Sequence, residues 1–384
     1  MRFPEFRGEW EKCKLGDIAN ITKGSGISKD QRSATGTPCI LYGELYTTYK
    51  SEVIDYVVSK TDISDKNLVR SCANDIIIPS SGETAIDIST ARCVLSPDVL
   101  LGGDLNIIRL KDGDGRFFSY QLNGVRKHDI AKIAQGVSVV HLYGESIKGL
   151  TVSFPSNKEQ QKISILLSLI DERIATQSKL IEKLESLIKG ISNKLLNSKE
   201  GMPVRLGAVL KERSEKTKVN NQYTVLSSTV NGLFSQREYF SKDIASENNV
   251  GYKIIRLHDV VLSPQNLWMG NINYNDKFDI GIVSPSYKIF FISNNFDKRY
   301  VAAMLKTHRA LYGYKLISEQ GASVVRRNLN LEAFEQLIFK IPTIDKQQEI
   351  GKTISLLNSR LETVRTLKAT YQSQKQYLLR QMFI

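Results

Sequence analysis

Two sets of loop residues in this 384-residue chain mix cations, amides, hydroxyls and aromatic rings. The first is Lys23, Ser25, Lys29 and Arg32, then Tyr42, Tyr46, Thr47, Tyr49 and Lys50, then Ser81 and Thr84. The second is Arg213, Lys216 and Lys218, then Gln265, Asn266 and Trp268, then Arg326 and Arg327. Such residues supply phosphate contacts and base-edge hydrogen bonds. For any single residue, an ordinary polar surface loop is the better account. As sets they weigh more, because they recur at matching places in the two halves of the chain.

Other chemistry is hard to find. There is no G-x-x-x-x-G-K-[ST] loop for a nucleotide-driven motor, and Gly24-Ser25-Gly26 lacks the third glycine and acidic partner of a dinucleotide site. Ser284-Pro285-Ser286-Tyr287 has the outline of the Asn-Pro-Pro-Tyr of adenine methyltransferases, without the Asn or Asp that would hold the amino group. It reads as a turn before a strand. The four histidines (His128, His141, His258 and His308) make no metal spacing, and no G-x-S-x-G nucleophile motif occurs. Cys13, Cys39, Cys72 and Cys93 all lie in the first half, with no Cys-x-x-Cys pair, and read as buried free thiols. The chain reads as a binder rather than a catalyst, with no cofactor or metal of its own.

A net charge of +13 favours a polyanionic partner, nucleic acid first and anionic membrane second. No apolar run approaches the roughly 18–20 residues of a spanning helix, and residues 1–6 hold no apolar signal core. The expected partner set therefore excludes membrane, and the expected location is the cytoplasm.

The elements that must position the loops are duplicated. Gln135-Gly136-Val137-Ser138-Val139-Val140 returns as Gln320-Gly321-Ala322-Ser323-Val324-Val325. Behind each copy come an apolar run, a proline (Pro155, Pro342) and a helix opening on Gln160-Gln161 or Gln347-Gln348. Apolar residues at 163, 167, 170, 174, 181, 184, 188, 191 and 195 keep a heptad pattern broken only by Gln177. The second helix repeats the register 187 residues later, with Lys368 and Lys375 as polar breaks. Capping boxes are expected at Ser156-x-x-Glu159 and Asp345-x-x-Gln348. Equal register predicts that the helices pack on each other, as rods of roughly 60 Å.

Each half also opens alike, on Leu15-Gly16 and Leu206-Gly207. Strands are expected at 74–78 and 106–110, matching 258–262 and 287–292, and short helices at 117–123 and 298–307. The fold class is α+β: two globular domains separated by two long helices packed as an antiparallel coiled coil, pseudo-twofold symmetric. The divisions are 1–156, 157–200, 201–342 and 343–384.

In the order and duplication of these motifs the chain resembles the specificity subunit of type I restriction–modification systems. The likeness rests on the paired Leu-Gly openings, Gln-Gly-x-Ser-Val-Val, Phe154-Pro155 and Ile341-Pro342 before the Gln-Gln helices, Asp171-Glu172-Arg173-Ile174, and Leu378-Leu379-Arg380-Gln381-Met382-Phe383. The resemblance implies target-recognition domains at 1–156 and 201–342, each reading one half of a split, asymmetric double-stranded DNA site. The helices would be spacers that also dock two methyltransferase subunits, with restriction subunits joining the full complex near the nucleoid. S-adenosylmethionine, ATP and Mg would sit on those partners, which carry the adenine-N6 methylation and ATP-dependent cleavage. A competing reading is a coiled-coil scaffold whose globular domains bind proteins. Another is the specificity portion of a single-chain methyltransferase.

Overall fold

The computed structural model describes residues 2–63, 67–197, 200–239, 248–320 and 327–383. The chain divides into two compact units, Met1–Lys179 with Arg365–Ile384, and Leu180–Val364. Each is a mixed body of helices and strands.

In unit one, Glu11–Lys14 pairs antiparallel with Thr151–Phe154. A helical turn at Leu15–Ile18 then feeds Ala19–Lys23 into a five-stranded sheet. Its order is Ala19–Lys23, Leu105–Leu110, Asp75–Pro79, Arg92–Val94 and Val53–Ile54. Asp75–Pro79 is buried throughout. Its side chains alternate between two faces, as a strand requires. Ile76 and Ile78 join the core built on Phe117, Phe118 and Leu167, while Ile77 joins a second core with Ile40, Leu45 and Leu101. A continuous apolar run is thus a strand covered on both sides.

Unit two repeats this plan. Met202–Arg205 pairs with Ile338–Ile341, and the turn Leu206–Val209 leads into a sheet ordered Leu210–Arg213, Lys288–Ile292, Asp259–Leu262 and Ile272–Tyr274. Val260 and Leu262 face one core, Val261 another. Asn74 and His258, each before its central strand, adopt the same left-handed turn, at φ 78° and 74°. Asp75 and Asp259 close those turns by accepting from the N–H groups of Cys72 and Arg256.

The long helices are Asn157–Leu196 and Ile344–Gln381. The first begins in unit one and ends in unit two, and the second does the reverse. The repeated glutamine explains how each is anchored. Gln160 Nε2 donates to Pro155 O at 2.8 Å and Oε1 accepts from Asp114 N at 3.0 Å. Gln347 makes the same two bonds, to Pro342 O at 2.8 Å and from Asp297 N at 3.0 Å. Asp114 and Asp297 in turn cap the short helices Gly115–Asn123 and Lys298–Met304.

Both expected capping boxes are corrected. The second helix begins at Ile344, so Asp345 lies inside its first turn. At the first, Glu159 is taken by Arg2, whose Nε and Nη2 donate to it at 2.7 and 2.6 Å. Ser156 contributes only its carbonyl, which accepts from the N–H groups of Glu159 and Gln160.

Lys375 is not a solvated break in the seam. Its Nζ bonds Asp171 Oδ1 at 2.5 Å and also Glu52, with all three side chains at or below 10% exposure. Tyr120 Oη donates to Asp171 Oδ2 at 2.8 Å. Leu378, Leu379, Met382 and Phe383 then enter the core, where Phe383 packs 5.1 Å from Phe117.

Candidate nucleic-acid interface

The structure gathers part of each candidate set. In unit two, Gln265 and Asn266 precede the single turn Leu267–Met269, which packs on the helix His308–Leu316. Arg327, on the strand Arg327–Leu329, donates its N–H to Gln265 O at 3.2 Å and sets its guanidinium 4.7 Å from the centre of the Trp268 ring. A cation over an indole face keeps both planar surfaces together at the edge of the unit. Arg326 lies outside the described residues, as does most of the second Gln-Gly motif. Lys216 and Lys218 are exposed, whereas Arg213 is held against Asp259, its Nη2 donating to Oδ1 at 3.3 Å. Burial raises the Asp259 carboxyl pKa, and Arg213 partly offsets this.

In unit one, Tyr42 and Tyr46 are half-buried beside the turn Glu44–Thr47, with the Tyr46 hydroxyl close to Gly82. Burial, then nearby Tyr42, Asp87 and Glu83, raises the Tyr46 pKa, which keeps the phenol a neutral donor. Thr47 and Lys50 are exposed, with Thr47 Oγ1 donating to Gly43 O and Lys50 Nζ to Thr47 O, both at 2.8 Å. Lys23 and Lys29 are exposed, and Arg32 lies 3.6 Å from Glu44. Thr84 is exposed and caps the helix Ala85–Ile88.

One candidate leaves the set. Tyr49 is a core residue at 8% exposure, its hydroxyl accepting from Val58 N, and burial pushes its pKa up to about 12. Ser25 Oγ accepts from Val69 N at 2.7 Å, which ties the loop down and leaves its O–H to donate.

Ser81 sits in the short strand Ser81–Gly82, paired with Val140–His141. That pairing brings the first Gln-Gly motif against the loop at 80–84. Gln135 and His141 exchange backbone hydrogen bonds and close a loop whose tip, Val137, is 98% exposed. Gly136 is required there: its φ is +124°, and a Cβ would stand 2.1 Å from Val139 O.

Sequence reasoning missed Asn271, Asn273 and Asn275. All three are buried and bind the backbone or hydroxyls of Ser228, Thr229, Arg256 and Phe278. Their period-two spacing was the available signal. Among the described residues, no group of His, Cys, Asp and Glu could hold a metal ion, and no helix is long and apolar enough to cross a membrane. Cys39 and Cys93 are buried, Cys13 is half-buried, and Cys72 is exposed, which departs from the expected burial of all four. Burial pushes the Cys39 thiol up to about 11.

Residues 7–186 match the family model of the type I restriction modification DNA specificity domain. The whole chain is similar in fold to the S subunit of a type I restriction–modification system from M. genitalium, at 16% identity and a TM-score of 0.66, covering 100% of this chain and 99% of that one. It is also similar to a chain from a structure described as the basis of complex assembly and conformational transition of the type I R-M system. That match has 11% identity and a TM-score of 0.51, covering 98% and 97%.

Proposed function

We propose that this chain is a non-catalytic DNA specificity subunit of a type I restriction–modification complex. The globular parts of the two units each read one half of a bipartite, asymmetric duplex site. The observation that carries this is one scaffold used twice, down to the Gln160 and Gln347 latches, with unlike polar loops at like positions. A homodimer of one reader needs a palindrome. Two diverged readers in one chain free the DNA from that symmetry.

Docking of two methyltransferase subunits is supported by large apolar residues left exposed on the long helices: Ile165, Leu169 and Leu187 on the first, Leu356 and Tyr377 on the second. Ile165 and Leu169, one helical turn apart, make an exposed apolar pair of the kind that a partner surface covers. S-adenosylmethionine, ATP and Mg belong on those partners and the restriction subunits.

Methylome sequencing of cells carrying the methyltransferase with and without this chain tests the proposal. The expected outcome is one split motif that appears only with the chain. Replacing residues 201–342 with another member's second unit should change one half of that motif and keep the gap. No chain-dependent motif would refute the proposal.

A further inference from the structure

The two units differ at one equivalent place. In unit one, the gap between the helix Gly115–Asn123 and the long helices is filled by Tyr120, Asp171 and Lys375, whose ammonium lies 5.6 Å from the Tyr120 ring centre. The helix register maps Asp171 onto Asn358 and Lys375 onto Ile188. Aligning the capping residues Asp114 and Asp297 maps Tyr120 onto Ala303. A tyrosine and an ion pair are thereby replaced by a methyl group, an amide and an isoleucine.

The space they would fill is open. Ile188, Ala303 and Asn358 line a cavity of about 930 Å³ in unit two, within the range of ligand-binding sites. Lys189, Lys277, Arg299 and Lys306 line it against Asp276 and Glu362, and Arg299 also reaches Asp297 at 3.5 Å, so the excess of positive charge rests on the three lysines. His308 lies at the same wall. Lys306 Nζ donates to Gly270 O and Asn273 Oδ1, both at 2.9 Å, and has no carboxylate partner among the described residues. An ammonium has three hydrogens, so one remains. Lys306 keeps exposed surface, yet the protein packed around it lowers its pKa to about 8, a penalty that an arriving anion offsets.

We propose that this groove binds phosphate groups, and that the strand supplying them is the DNA engaged by the second unit. The proposal rests on the reading of the chain as a DNA specificity subunit. Cations with amides and hydroxyls beside them are the residues that hold a sugar–phosphate backbone without reading its sequence. In unit one, Tyr120, Asp171 and Lys375 occupy the equivalent place.

The test is duplex binding by the full chain across roughly 50 to 200 mM salt, followed by fluorescence anisotropy, because each phosphate contact adds about one to the log–log salt slope. Lys306→Met combined with Arg299→Met should flatten the slope by about one to two units. The graft Ala303→Tyr with Asn358→Asp and Ile188→Lys, which rebuilds the unit-one filling, should do the same. Circular dichroism checks folding, and the lysine–arginine pair carries the test if the graft does not fold.

A steep wild-type slope that neither variant changes overturns the groove and leaves the DNA reading intact. A flat wild-type slope overturns the DNA reading itself. Millimolar pyrophosphate separates the sources. If it raises the wild-type Tm and that of Lys306→Met unequally while DNA binding stays equal, the ligand is a free phosphate compound, and the assignment to a DNA strand fails. If the variants lose only their capture of methyltransferase subunits, the groove belongs to an acidic protein surface and the proposal also fails.

Discussion

Lys375→Met should be among the most damaging single changes in unit one. The lysine, Glu52 and Asp171 have side-chain exposures of 9%, 10% and 9%, so water cannot replace the ammonium once it is gone. Methionine keeps the alkyl packing, which isolates the electrostatic part. Removing one partner of a buried ionic group typically costs about 3–5 kcal/mol, because the remaining charges stay uncompensated. For a unit of this size that is a Tm loss of roughly 6–20 °C.

The pH dependence has a definite sign. Burial raises the Glu52 pKa, Lys375 opposes that rise, and Asp171 adds to it. A carboxyl whose folded pKa lies above its unfolded value takes up a proton first in the native state. Its stabilising contribution is present below the unfolded pKa and is lost as pH rises through the folded one. Without Lys375 the folded pKa climbs further. The variant's deficit should therefore be full at pH 8 and shrink toward pH 5. Urea unfolding at both pH values measures it, with hydrogen exchange in Gly115–Asn123 reporting the unit. The triple variant Lys375→Met, Asp171→Asn and Glu52→Gln should recover most of the loss. A single-variant cost below about 1 kcal/mol, or one independent of pH, would refute the reasoning.

Gln160→Leu and Gln347→Leu each delete two hydrogen bonds at a helix start and strand Asp114 N or Asp297 N; each should cost about 1–3 kcal/mol in urea unfolding. Arg327→Ala should weaken DNA binding through loss of the Trp268 contact, by about 2- to 30-fold in a gel-shift assay, and Trp268→Ala should match it. Gly136→Ala should lose about 1–3 kcal/mol of stability against a left-handed backbone and the Val139 carbonyl, whereas Val137→Ser should leave Tm unchanged.

The duplication, the long helices and the central strands were legible because each is a local periodicity. Ile76, Ile77 and Ile78 state in three letters that a strand is covered on both faces. Lys375 was misread for the opposite reason. Its carboxylates lie 323 and 204 positions away in sequence, so the heptad showed only a polar residue in an apolar seam. Tyr49 had the right type for a DNA-contacting loop, yet it packs inward. Arg299, Ala303 and Lys306 share one helical face by spacing, but Lys277, Ile188 and Asn358 lie far from them in sequence, so the wall they form together was not legible. A missing side chain leaves no signal in the sequence that lacks it.

The pairing of Met202–Arg205 with Ile338–Ile341 has a consequence for inheritance. The body between those strands leaves and re-enters the scaffold at adjacent points, as does the body between Glu11–Lys14 and Thr151–Phe154. A foreign segment spliced at such neighbouring ends need not stretch or slacken the rest of the chain. Recombination between related genes can therefore replace one such body in a single crossover pair, which under the function proposed above exchanges one reader. New specificities would then arise by exchange of whole cassettes, faster than by accumulated point changes in any loop.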